Sequence, residues 1–468
     1  MNKLILLVFA VTVSIVSCSE DKYADPVNIQ LSFSDDTLSF DTVFTEIGTI
    51  TKELRVINSG KSSILINQIE LGGGSNSPFR LNVDGEPGVM FEDIEIASGD
   101  SIFIFVDARI DSGNKDYPLL VRDSIEFRSD GNYFDVNLIA WGQDVTVVNN
   151  EVLETQTWTG GKPYLVYESA IIDTGHVLTI AAGSHVFFHR NAKMVVAGTV
   201  IVNGTLDNPV AFKSDRTEKT YMDVPGQWQG IVINNGSTDN YFRNTVISNA
   251  VAGIVVGQGQ NEGEPPEVNL ENVNIRHMSV SGLSASGATV RASNLLIAHC
   301  GFYCAYLVAG GSYTFNHCSF ANRWEYSNRI TPSLYISDFV YFNDRLISGN
   351  LSNADFTNSV VNGQKDSEIL VESLTGNDMP VSLINCLVSD TNPVGYNYEN
   401  CIFNADPLFT DWSEYNFRPD TLSPLVNSGD IVYAEIVPFD IRGYSRLADP
   451  GPDIGAYERI PGEDADNK

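Results

Sequence analysis

The chain has 468 residues, 43% of them hydrophobic and 19% charged, enough apolar material for a large buried core and too much for wholesale disorder. Its 28 basic and 59 acidic residues leave a formal net charge of −31. Such a surface repels nucleic-acid phosphates and anionic headgroups, so no nucleic-acid partner and no charge-driven membrane docking is expected. Glycine (38) and aromatic residues (10%) are plentiful while Met and Cys number six each, a profile of many short β-segments between turns.

Residues 1–17 read as an address. Lys3 supplies a short basic region, Leu4 to Val13 are nearly all apolar, and the run closes on Ile15-Val16-Ser17-Cys18. The stretch is too short to span a bilayer comfortably, so a signal peptide is expected. A small residue directly before Cys resembles a bacterial lipobox. The resemblance implies that Cys18 carries lipid and becomes the first mature residue, holding the chain on a membrane. Ser19 at the next position, followed by Glu20-Asp21, resembles outer-membrane sorting and the surface-export signal of Bacteroidota lipoproteins. The expected location is thus the outer membrane, facing the exterior, with residues 18–27 as a linker. Five cysteines remain, all in the second half. An odd, sparse set argues against a disulfide scaffold, and no zinc pattern is present.

Residues 28–147 alternate apolar and polar positions in short runs such as Leu54-Arg55-Val56-Ile57 and Ile102-Phe103-Ile104-Phe105-Val106. Turns such as Asn58-Ser59-Gly60-Lys61 separate them. This spacing predicts a two-sheet β-sandwich. The order "RVINSGKSSILINQIEL", "SPFRL", "IASGDSIFIFVDARI", "DSIEFRSDG", "VNLIAWG" resembles immunoglobulin-like modules of the ASPM, SPD-2 and Hydin type, which act as spacers or interaction domains.

From 150 to 405 the strands shorten. "HVLTIAAGSHVFFHRNAKMVVAGTVIVNGTLDNPVAFKS" suits a parallel coil in which each strand pairs with its equivalent one turn away. A rung motif of Asn, two variable residues and an apolar residue recurs at Asn244, Asn272, Asn294, Asn358, Asn385 and Asn400, with His317 in the Asn place. Most intervals fall in the window of solenoid repeats. Stacked one strand spacing apart, these amides can hydrogen-bond in a column. Cys318, Cys386 and Cys401 directly follow column positions and are expected inside the stack. The rungs, the entry segment and "GQWQGIVI" resemble right-handed parallel β-helix proteins of the pectate-lyase-like superfamily. "AHCGFYCAYLVAGGSYTFNHCSFANRWEYSNR" is similar to a rung pair of Bacteroidota β-helix lipoproteins. Residues 406–460, with "DPLF", "SPLVNSGD" and "DIGAYE", resemble the C-terminal cap of such coils, which covers unpaired last strands. Residues 461–468 form an acidic tail. The predicted class is therefore all-β: an N-terminal sandwich, then a right-handed parallel β-helix with a C-terminal cap.

Chemistry is less visible. No G-x-S-x-G, Walker, dinucleotide or HExxH motif is present. No metal site is expected. A lyase of this fold would need a Lys or Arg base, with Ca2+ or another cation against the enolate-like intermediate, and Ca2+ needs convergent oxygens. The acidic "QNEGEPPE" (Glu262, Glu264, Glu267) reads as a solvated turn or a weak calcium loop. Between Val268 and Ser337 stand four arginines against two acids, which reads first as scattered surface charge and alternatively as a basic waist, in an acidic chain, that suits an acidic glycan. Arg276, His277 and Arg291 are the candidate catalytic residues. Arg323, Trp324, Tyr326 and Arg329 are the candidate ligand platform, with packing of that loop onto the coil as the competing reading. The sequence thus predicts a surface lipoprotein that binds a polysaccharide or surface protein without catalysis. The alternative is a polysaccharide lyase or hydrolase acting on an acidic glycan.

Overall fold

The computed structural model describes residues 23, 29–44, 51–110, 119–257, 264–393, 396–448, 450–460 and 462. The signal segment, the lipidation candidate Cys18, Glu262 and most of the 18–27 linker lie outside the described residues. The chain divides into two compact units, Met1–Val145 and Thr146–Lys468.

The first unit is built from two five-stranded sheets. One carries, side by side, Leu31–Phe33, Lys52–Asn58, Ser101–Ala108, Phe79–Val83 and Glu86–Gly88. The other carries Thr37–Phe44, Asn132–Gln143, Leu119–Ser129, Ile64–Leu71 and Met90–Ile96. Period-two patterning sends one face of each strand inward: Ile102, Ile104, Val106 and Ala108 are buried while Phe103 and Phe105 are exposed. The turn after Lys52–Asn58 is pinned by the buried Asn58 amide, which donates to the carbonyls of Ser62, Ile96 and Ala97.

The second unit is a parallel β-helix with three faces, all in one 25-stranded sheet. Its first face begins at Thr146–Val148, slightly before the boundary read from sequence. It climbs through Tyr164–Val166, His185–Phe188 and Val210–Ser214, then residues 245–248, 273–276 and 295–298. Ser319–Asn322, Val360–Gly363, Leu387–Val388 and Ile402–Phe403 complete it. The second face runs from Glu151–Leu153 to Ile369–Glu372, and the third from Gln156–Trp158 to Asn397–Glu399. The interior is apolar and partly stacked aromatic: Phe188 lies on Trp228 at 3.9 Å and Phe315 on Phe356 at 4.9 Å between ring centroids.

The rung motif has a backbone cause. Between the third and first faces the chain turns sharply, and the residue at the corner is left-handed in each rung: Asn244 (φ 45°), Asn272 (55°), Asn294 (51°), His317 (51°), Asn358 (44°), Asn385 (51°) and Asn400 (51°). Asn tolerates this conformation better than other non-glycine residues because its short amide can bond locally. The amides also form a column. Asn272 donates to Asn244 Oδ1 at 3.1 Å and Asn294 to Asn272 Oδ1 at 2.8 Å, while Asn358 Nδ2 meets His317 Nε2 at 3.0 Å. The column starts on the Gly204 carbonyl, which accepts from Asn244. A Cβ at Gly204 would stand 2.2 Å from the Asn244 carbonyl oxygen, so the close approach requires glycine there.

The C-terminal cap is more extensive than an end plug. After the last rung, residues 406–460 fold back along the side of the coil as a strap. Asp430 O accepts from Asn358, Tyr433 O from Asn316 and Phe439 O from Asn294, while Gly443 reaches Leu206. The strap covers the outward positions of the first face, several of which are apolar where it crosses them. Leu296, Ala298 and Ala321 pack with Phe417, Trp412, Tyr415 and Ile441, and Val360 and Leu387 pack with Leu425 and Ile454. A buried guanidinium locks it down: Arg446 donates to Glu458, to Asn294 Oδ1 and to the Gly455 carbonyl. Asp453 and Glu458 are therefore spent on holding the strap; Asp453 accepts from Asn427 N at 2.7 Å.

Candidate functional site

The candidate acid–base residues are not brought together. Arg276 and His277 end a first-face strand, but Arg291 stands on the third face, where its guanidinium pairs with Glu267. The separation follows from topology, because residues 289–293 precede the Asn294 corner that turns the chain onto the first face.

Arg276 and His277 do meet other groups. His277 has φ 58° and His299 φ 53°, at corners closing the far end of the first-face strands. With Asn249 (φ 68°) they form a second left-handed column at the same intervals as Asn244, Asn272 and Asn294. The two imidazoles lie 5.2 Å apart. Tyr415 of the strap presents itself edge-on to both, at 4.7 and 5.0 Å, and the Arg276 guanidinium lies 5.2 Å from the Tyr415 ring centre. Tyr415 is itself left-handed (φ 61°), ending a short turn that Asp411 caps by accepting from Ser413 N and Glu414 N; an aromatic residue in that region stores backbone strain. Asp223 completes the cluster. Its loop is tied down by Asn249, which donates to the Met222 and Val224 carbonyls. Asp223 Oδ1 is 3.4 Å from His277 Nε2, and its carbonyl accepts from Tyr326 OH at 3.1 Å.

Electrostatics keep the imidazoles neutral. Burial, then the charge of Arg276, lowers His277 to about 3. Burial, followed by His277 and Arg276, lowers His299 to about 3. Burial and the neighbouring Asp223 push Tyr415 up to about 12. A base with a pKa near 3 removes protons poorly at neutral pH.

The candidate ligand platform splits. Arg329 belongs to the core: its side chain is 1% exposed and pairs with the fully buried Glu368, which also accepts from Ser333 N, Ser333 Oγ and Lys365 N. Arg323 lies 5.4 Å from the Trp412 ring centre and donates to Asn362. Trp324 is largely buried, with its indole N–H on Ser327 Oγ. Tyr326 is 58% exposed and its ring lies 5.0 Å from Trp324. Beside them opens a cleft of about 470 Å³ lined by Trp324, Asn328, Arg329, Gln364, Lys365 and Asp366, among others. Two arginines of the basic waist are paired with carboxylates, Arg291 with Glu267 and Arg329 with Glu368, while Arg276 and Arg323 lie against the rings of Tyr415 and Trp412. Among the described residues, no group of three or more His, Cys, Asp or Glu side chains converges as a metal would need.

Asp223, His299, Glu368 and Tyr415 were not singled out from the sequence as site residues. The spacing of Asn249, His277 and His299 carries the signal for the second column; nothing local in the sequence announces that Tyr415 would close over it.

No family model and no curated protein matches the chain. Among solved structures, a family 123 glycoside hydrolase from Clostridium perfringens aligns at 8% identity and a TM-score of 0.20, over 25% of this chain and 30% of its own length. The chain therefore spans under a third of that enzyme. The ASH / PapD-like domain of human CEP192 (14% identity, TM-score 0.18) aligns over 28% of this chain and 96% of its own. The catalytic unit of a thermostable GH87 alpha-1,3-glucanase from Streptomyces thermodiastaticus (11% identity, TM-score 0.30) aligns over 74% and 76%.

Proposed function

We propose that this protein is a lipid-anchored surface protein whose β-helix binds a glycan, or a glycan-bearing surface protein, without turning it over. The observation that carries the reading is the fate of the arginines and histidines that chemistry would use. Each is engaged by the protein itself, and His277 and His299 are buried and neutral under the strap. A cleft lies open between 324–329 and 364–367, and Tyr326, which packs on its Trp324, is exposed. Hydroxyl-rich ligands suit such a site, where hydrogen-bonding groups surround an aromatic face. The lipobox-like Ser17-Cys18, with Glu20-Asp21 after it, supports a lipid on Cys18 and an outer-membrane, outward-facing location. The strand order of the first unit supports an immunoglobulin-like spacer or interaction module. A glycan array followed by titration of the best hit tests the reading. Saturable binding with the ligand recovered intact is expected; depolymerisation at native rates refutes it.

A second reading draws on one observation, the approach of Asp223 to His277 beside Arg276. In it the protein is a lyase or hydrolase for an acidic glycan. A lyase would release unsaturated uronates absorbing in the ultraviolet, with Ca2+ as a possible activator. A uronate panel that yields no such product with or without Ca2+ removes the lyase version.

A further inference from the structure

The inward position that follows each Asn corner forms its own column along the first face. It passes from Thr245 through Val273, Leu295, Cys318 and Ser359 to Cys386 and Cys401. Only at its end do two cysteines become neighbours. The pairing of Leu387 with Ile402 places the preceding Cys386 and Cys401 on adjacent rungs. Parallel neighbours stand roughly 4.8 Å apart, inside the Cα separation that a disulfide spans. The Cys401 sulfur lies against the Leu383 and Glu399 carbonyls. Cys386 is fully buried against the Phe356 and Ile384 carbonyls, whereas Cys401 is partly exposed. Cys318 has Ser359 as its next-rung neighbour and lacks this geometry.

We propose that Cys386 and Cys401 are an oxidation site, closing to a disulfide that latches the last turn of the coil to the one before it. The co-reactant is a low-molecular-weight disulfide. The exposed Cys401 thiolate attacks one of its sulfurs and expels the first thiolate with the electron pair. Cys386 then gives up its proton, attacks the Cys401 sulfur of the mixed disulfide and expels the second thiolate. The two cysteines lose two electrons and the small disulfide becomes two thiols. Cys401 suits the first step because it is the more exposed of the two; the adjacent Cys386 draws its thiol down to about 7, while burial pushes Cys386 well up. The latch matters because the final strands are short: Asn397–Glu399 has three residues and Ile402–Phe403 two. A cross-link there restrains a turn that few ladder hydrogen bonds hold.

The test treats the folded full chain with oxidised glutathione, blocks free thiols, digests it without reduction and maps linked peptides by mass spectrometry, with thermal melts of oxidised and reduced samples. A linked Cys386–Cys401 peptide is expected in most molecules, with a melting temperature raised by roughly 5 °C. Cys386→Ser and Cys401→Ser, each checked for native circular dichroism, should abolish both. Stable glutathione on Cys401 with no linked peptide overturns the proposal. So does a linked form that melts no higher than the reduced one.

Discussion

The two sides of the coil between residues 268 and 337 carry the same kinds of residue to opposite ends. On the first face the strap lies over the outward positions, and Arg276, His277 and His299 become packing and stacking groups. On the third face Arg291 pairs with Glu267 and remains 56% exposed. A basic residue on a β-helix rung acquires its role from what crosses above it. Charge counted along the sequence treats both sides alike; the tail that returns over one of them makes the difference.

The largest effect expected along this divide comes from the pair that the coil buries outright. Glu368→Ala strands Arg329 in a site that water does not reach, and breaking a buried pair costs about 3–5 kcal/mol. Urea unfolding of the variant should show that loss in the coil's transition; a change under 1 kcal/mol would mean that Arg329 finds water or another partner.

Comparable in size over the full acid range is the response of the covered side. His277 and His299 have native values near 3, depressed from an ordinary 6.5. Between these limits the unfolded chain binds protons that the native chain refuses, so stability is full above about pH 6.5 and falls as pH drops towards 3. Each histidine contributes up to about 1.4 kcal/mol per pH unit within that window. His277→Gln and His299→Gln should each flatten the decline of stability between pH 6.5 and 4, read by chemical denaturation at each pH. An unchanged slope would show that the rings are hydrated.

The architecture was legible because it rests on short-range regularities. Alternation marks Ser101–Ala108, and the Asn corners mark the rungs because a left-handed turn selects Asn wherever it recurs. The site was less legible. Tyr415 meets His277 and His299 across more than a hundred residues of chain, and Arg329 finds Glu368 one turn away across an irregular excursion. Such pairings are set by how the strap and loops return onto the coil, which no local pattern encodes.

The exposed ion pair sets the small end of the scale. Arg291→Ala should change stability by less than about 1 kcal/mol, as exposed pairs do; thermal melts at low and high salt would check it. A loss above 2 kcal/mol would mean that the open side is as tightly built as the covered one.

On the proposed function the covered cluster is structural and the open cleft binds, and the two part company when one glycan hit is titrated, with product analysis, against the parent chain, Tyr326→Ala and His277→Gln. Tyr326→Ala should weaken binding at least tenfold, His277→Gln should leave it within twofold, and the glycan should be recovered intact throughout. Cleavage of the glycan by the parent chain, lost in His277→Gln while Tyr326→Ala still binds normally, would overturn the proposed function.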